Sequence, residues 1–179
     1  MLSEKEVLFD SSKITLHIND YTGIFSDFDP RPYSKKALSD DFLIEAKRAA
    51  KDRPDENLEL IFLMHKKKRR IAIENEVKKR LKNHFKKHYF LLGNELKHIR
   101  RKAIIIVFIG FLLMVLATYI AYMGYKDFEF YLLRIVFEPA GWFSVWFGLD
   151  QLFYSSKEKL PDYNFYKKMA KVDIKFMNY

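Results

Sequence analysis

Three sets of side chains carry types and spacings that can do chemistry. The first interrupts an apolar run, Tyr131 to Phe153 (YLLRIVFEPAGWFSVWFGLDQLF), with Arg134, Glu138 and Asp150. A charge at the centre of a bilayer costs on the order of 3 kcal/mol. Ionisable groups in such a run therefore point to a polar path in an oligomer, to a partner helix, or to a local bridge. Arg134 and Glu138 stand i, i+4 and can face each other on one helix side, while Arg134 and Asp150 lie near the two ends, where the side chain can snorkel outward. The second set is His84 and His88, also i, i+4, a spacing that can grip a metal from one helix face. No carboxylate stands between them, and the neighbouring Lys86 and Lys87 repel a cation. The third set is Asp27, Asp29 and Arg31 in a stretch stiffened by Pro30 and Pro32. It is either a small polar site or the brace of a turn.

A fourth feature is charge of one sign. Residues 61–102 hold 15 Lys/Arg against 3 Asp/Glu, a net of +12, whereas residues 1–60 are net −4, and the whole chain is +9. The excess lies in Lys66, Lys67, Lys68, Arg69 and Arg70, then Lys78, Lys79 and Arg80, then Arg100, Arg101 and Lys102. This run leads into an uncharged apolar stretch. Anionic headgroups attract Lys and Arg at about 1 kcal/mol each near a cytoplasmic surface, so lipid contact is the reading it favours. Nucleic acid is the competing polyanion. Cysteine is absent, which removes disulfides, thiolate metal sites and thiol nucleophiles. No nucleophile–base pair, phosphate-binding loop or dinucleotide fingerprint is present. No catalytic residue and no cofactor are expected.

The elements that must position these groups follow from periodicity. Ala103 to Met123 (AIIIVFIGFLLMVLATYIAYM) is 21 residues without a charge. As a helix it is roughly 31 Å long, against a hydrocarbon core of about 30 Å. Tyr131–Phe153 is the second candidate span, kinked at Pro139. The alternative lays Tyr131–Phe137 in the interface and starts a shorter span at Pro139. Basic residues flank both spans, and the turn between them, residues 124–130, carries Lys126 against Asp127 and Glu129. The positive-inside rule then puts both ends of the chain in the cytoplasm. Met1 to Asp10 lacks the basic and apolar regions of a secretory signal.

Before the spans, Glu4–Phe9 and Lys13–Asn19 read as a hairpin around Asp10-Ser11-Ser12. Ser39 suits the N-cap of a helix over Asp40 to Lys51, which Arg53-Pro54-Asp55-Glu56-Asn57 ends. Leu58–Met64 is nearly all apolar, as in a strand covered on both faces. Ile73, Val77, Leu81, Phe85, Tyr89, Leu92, Leu96 and Ile99 recur at steps of three and four, forming one helix stripe with a possible hinge at Gly93-Asn94. The expected fold is an α+β cytosolic module, β-β-α-β-α, followed by a two-helix transmembrane hairpin. Its parts are a module over 1–69, a basic juxtamembrane helix over 70–102, spans over 103–123 and 131–153 joined by an external turn over 124–130, and a cytosolic tail over 154–179.

The segments Phe28-Asp29-Pro30-Arg31-Pro32-Tyr33, Glu138-Pro139-Ala140-Gly141-Trp142-Phe143, Gly148-Leu149-Asp150, Phe165-Tyr166-Lys167-Lys168-Met169 and Ile174-Lys175-Phe176 together resemble an uncharacterised family of small prokaryotic two-span membrane proteins. The resemblance implies residence in a prokaryotic inner membrane and assigns no activity. The expected protein is thus non-enzymatic, with anionic lipid headgroups and either a protein partner or a second copy of itself as partners. A small oligomeric membrane effector or channel-like subunit and a membrane-tethered nucleic-acid binder are the alternatives.

Overall fold

The computed structural model describes residues 12–53, 58–124 and 126–179. The expected strand Glu4–Phe9 and the helix stop Pro54–Asn57 lie outside them. The chain forms two compact units, Met1–Phe90 with Asp162–Tyr179, and Leu91–Pro161.

The first unit is mixed α+β and is built on a three-stranded sheet. Strand β1 is Lys13–His17, helix α1 is Asp40–Ala50, β2 is Glu59–Met64, and β3 is Asp173–Asn178. The sheet order is β1-β2-β3 and both pairings are parallel. The run at Lys13 was expected as half of an antiparallel hairpin. The other half of that hairpin, Glu4–Phe9, lies outside the described residues; the run at Lys13 pairs in parallel with β2, Thr15 beside Ile61, because α1 provides the crossover that a parallel pair needs. A correction concerns the expected tail. Residues 154–179 supply helix α4, Ser156–Met169, and the strand β3, which lies against β2 with Glu59 beside Asp173 and Phe62 beside Phe176. Strand pairing decides here because Ile174 and Phe176 need an apolar surface, and the neighbouring strand provides it.

Leu60, Phe62 and Met64 of the central strand point into the core, as expected of a nearly all-apolar strand. Phe62 stacks on Phe176 at 5.1 Å between ring centroids and touches Phe42 of α1 at 5.9 Å. Ile61, on the opposite face, is also covered, with 1 % exposure. In α1, Phe42, Ala46 and Ala50 form the buried side. Ser39 does occupy its N-cap position, but its side chain makes no capping bond, and Asp40 and Asp41 fill the first turn. The third wall of the core is the start of helix α2, Ile71–Met123, through Val77, Leu81 and Phe85. Phe165 and Met169 of α4 close it.

Gly93-Asn94, where a hinge was expected, is helical and lies within α2. Gly124, at φ +69°, terminates it in the left-handed conformation that suits glycine. Helix α3, Phe128–Asp150, continues through Pro139 and ends in a five-residue π turn, Gln151–Ser155, ahead of α4. In the second unit α2 and α3 meet at small residues. A Cβ added at Gly110 would stand 2.8 Å from the Gly141 carbonyl oxygen, and one at Gly148 would stand 2.9 Å from that of Ala103. Ala103, Gly110 and Ala117 on α2, and Gly141 and Gly148 on α3, repeat every seventh residue. Their register, 110 against 141 and 103 against 148, makes the two helices antiparallel. Small residues let backbones approach this closely, the habit of helix pairs in membranes. Among the described residues one helix, α2, is long and apolar enough to cross a membrane, and only 17 % of its most apolar 18-residue window is buried.

Because β3 is integral to the core, Phe176→Ala should lower the stability of the first unit by about 3 kcal/mol or more. Met177→Ala, at a more exposed position of the same strand, should change it by less than about 0.5 kcal/mol. Denaturant unfolding of the full chain in detergent, followed by circular dichroism, checks the pair.

Candidate functional site

The basic run divides once its side chains are placed. Arg69 is not a surface contact. Its Nε and Nη2 donate to the two oxygens of Glu74 at 2.8 and 3.0 Å, and its Nη1 donates to Asn178 Oδ1 at 2.8 Å. Glu74 is 4 % exposed. The Tyr21 hydroxyl donates toward Glu74 at 3.4 Å and accepts from the Arg70 backbone N–H at 2.8 Å. This node ties the 3-10 turn Tyr21–Ile24, the start of α2 and the end of β3 together. A bidentate guanidinium–carboxylate pair satisfies charges that would otherwise be costly to bury. The Glu74 pairing holds Arg69 more firmly protonated than usual, and burial pushes the Tyr21 hydroxyl up. Sequence reasoning missed the node. The one available signal was Glu74, an acid set in a basic run.

Three other cations are also occupied. Lys68 Nζ donates to the Asn19 carbonyl at 3.1 Å, Arg80 Nε donates to that of Lys36 at 2.9 Å, and Lys78 Nζ lies 5.8 Å from the Phe176 ring centre. Lys66, Lys67, Arg70 and Lys79 are exposed. Arg100, Arg101 and Lys102 are exposed too, and they directly precede Ala103 in the second unit.

Asp29 and Arg31 form a brace. Asp29 accepts from Arg31 Nε and Nη2 at 2.9 and 2.8 Å, from the Arg31 N–H at 3.0 Å and from the Ala37 N–H at 2.6 Å. These bonds hold its carboxyl far below the usual range. The loop is closed at its base by the Phe25–Leu38 bridge and by Ser26 N–H to Ala37. Asp27 is exposed outside the brace, and Phe28 at the tip is 97 % exposed.

His84 and His88 come together as packed rings, 4.3 Å apart between centroids, with His88 stacked on Tyr166 at 5.0 Å. Among the described residues no group of three or more His, Asp or Glu side chains is arranged to hold a metal. The His84 Nε2 is buried without a hydrogen-bond partner among the described residues. Burial first, then the charges of His88, Arg80 and Lys87, bring its pKa down to about 4.

The apolar-run set separates. Arg134 Nε lies 3.9 Å from Glu138 Oε2, as the i, i+4 spacing predicts. Asp150 is exposed at the far end of α3, about 18 Å along the helix axis from Glu138. Comparison with protein-family models, curated proteins and solved structures gave no match.

The His84 shift has a sign. The folded chain holds this ring neutral down to about pH 4, whereas an unfolded histidine takes its proton near pH 6.5. Between these values the unfolded state binds more protons, so the stabilisation is complete above about pH 6.5 and declines as pH falls toward 4. The unfolding midpoint of the full chain in detergent should therefore drop from pH 7 to pH 5. In His84→Phe the drop should be smaller. Equal drops in both proteins would count against it.

Proposed function

We propose that the chain is a non-enzymatic integral protein of a prokaryotic inner membrane. Two helices cross the bilayer, and the parallel-sheet module stands at the cytoplasmic surface. The observation that carries this is the pairing of β2 with β3. These strands flank α2 and α3 in the chain, and pairing holds them on one side of any membrane. A single crossing by α2 would separate them, so the number of crossings is even. Between α2 and β3, α3 has 23 residues, about 34 Å of helix, while α4 has 14, about 21 Å. Only α3 has the length to return the chain, despite its charges.

Solvation supports the first crossing. Ile104, Ile105, Phe108, Ile109, Phe111, Leu112, Val115 and Leu116 of α2 are each roughly half exposed. At about 2 kcal/mol per fully buried side chain, removing the rest from water is worth on the order of 8 kcal/mol. That is comparable to the whole stability of a domain. Trp142, Phe143, Trp146 and Phe147 extend the same surface on α3. Arg100, Arg101 and Lys102 then meet headgroups at the cytoplasmic boundary, in keeping with the positive-inside rule. The resemblance to small two-span proteins agrees with this architecture and adds no activity.

Since the chain lacks cysteine, single introduced thiols report sidedness cleanly. With a membrane-impermeant maleimide, Lys126→Cys should label in intact cells, and Thr22→Cys only in inverted vesicles. Both labelling from the same side would overturn the two-span reading. Separately, the triple change of Arg100, Arg101 and Lys102 to Gln should reduce retention of anionic lipid by the purified protein at least tenfold, since about 1 kcal/mol is expected per charge. Retained lipid alongside lost RNA binding would move the reading to nucleic acid.

A further inference from the structure

The second unit leaves one interaction incomplete. Gly110 lies against Gly141, and Ala103 against Gly148, so the two helices advance residue for residue in opposite directions. Carried three residues further, this register sets Glu138 level with Leu113, the middle residue of Ala103–Met123. On the two-span reading, on which this inference rests, Glu138 therefore stands near the hydrocarbon midplane, with Arg134 one turn nearer the far surface.

The α2 helix does not enclose them. Their side chains are 48 % and 59 % exposed, and the single contact between them, 3.9 Å, is loose. A guanidinium offers five donors and a carboxylate about four acceptor positions, and one loose contact leaves most of them open to lipid tails. Ionisable groups at this depth face protein or water rather than hydrocarbon. Something polar must cover the pair.

We propose that a second copy of this chain covers it, through a two-fold seam along α3. The charge pattern is self-complementary. Around a two-fold axis along the membrane normal, two α3 helices run parallel, so Arg134 of each can reach Glu138 of the other. Four charges then alternate with no net excess, as they do across parallel coiled-coil flanks. An unrelated partner helix would have to bring its own matching acid and base at this depth, whereas a second copy carries both. The flanks fit the same seam. Tyr131, Ile135 and Trp142 lie three or four residues from the pair on the same stripe of α3, and each is at least half exposed. The small residues Gly141 and Gly148 are already engaged with α2, so the intrachain and interchain contacts of α3 use different residues. The pair is thereby converted from a cost in hydrocarbon into the determinant of dimer register.

The experiment uses the full chain, fluorescently tagged and reconstituted into liposomes of anionic and zwitterionic phospholipid at decreasing protein-to-lipid ratio. Single-molecule photobleaching should show two steps, giving way to one only on strong dilution. Ile135→Cys in the cysteine-free chain should form a disulfide-linked dimer with mild oxidant. Arg134→Gln and Glu138→Gln should each weaken association at least tenfold, and the exchange Arg134→Glu with Glu138→Arg should restore it to within about threefold. One bleaching step at every ratio, or neutral variants as dimeric as the original chain, overturns the proposal. If a charge variant fails to insert, the bleaching count and the Ile135→Cys cross-link in the original charge background decide alone. Labelling of Lys126→Cys from the outer side in the same samples separates the two failures. An outer turn with a monomeric protein sinks only the dimer, whereas an inner turn sinks the two-span reading beneath it.

Discussion

Six residues of β2 lie beside six of β3, and that ladder closes a loop of about a hundred residues on itself. Closing so long a loop costs conformational entropy that grows only slowly with length, and a buried, well-packed pairing can meet it. Phe62 on Phe176 and Leu60 beside Ile174 provide that packing at the centre of the sheet. The Arg69–Glu74–Asn178 node fastens the far end of the same strand to the start of α2. Without the ladder the module would lose a wall of its core.

Polar chemistry in the first unit is mostly spent on holding shape. Asp29 gathers Arg31 and the Ala37 N–H to fix a loop, Glu74 neutralises Arg69, and His84 and His88 pack as neutral rings against Tyr166. Each is a place where residue types alone suggested a binding site and the surroundings supplied a structural partner. What stays available at the surface is simpler: exposed lysines and arginines, and the apolar flanks of α2 and α3.

Local pattern made part of this legible. The uncharged stretch 103–123, the helix at Asp40 and the nearly all-apolar β2 each announce themselves within a window of their own length, because burial imposes composition directly. The i, i+4 contact of Arg134 with Glu138 follows from helix geometry alone. The direction of β1 was not legible, since alternation marks a strand but not its partner. Strand β3 escaped for a related reason. Asp173, Lys175 and Asn178 dilute its apolar residues, and only the distant β2 makes Ile174 and Phe176 read as core. Arg69 looked like its basic neighbours because Asn178, which fixes it from the end of β3, lies more than a hundred residues along the chain, beyond any local window.

The order of β3 in the chain has a temporal consequence. Every residue of β1, β2, α1 and α2 leaves the ribosome before the strand that completes their sheet. In the meantime β2 shows an open edge, and an open edge invites pairing with whatever is near. On the proposed topology, that edge is filled only after both crossings have been made and the chain has come back. On that same topology the sheet of the first unit would be completed only after the second unit had inserted, and a molecule that inserted wrongly would be marked by an unfinished sheet.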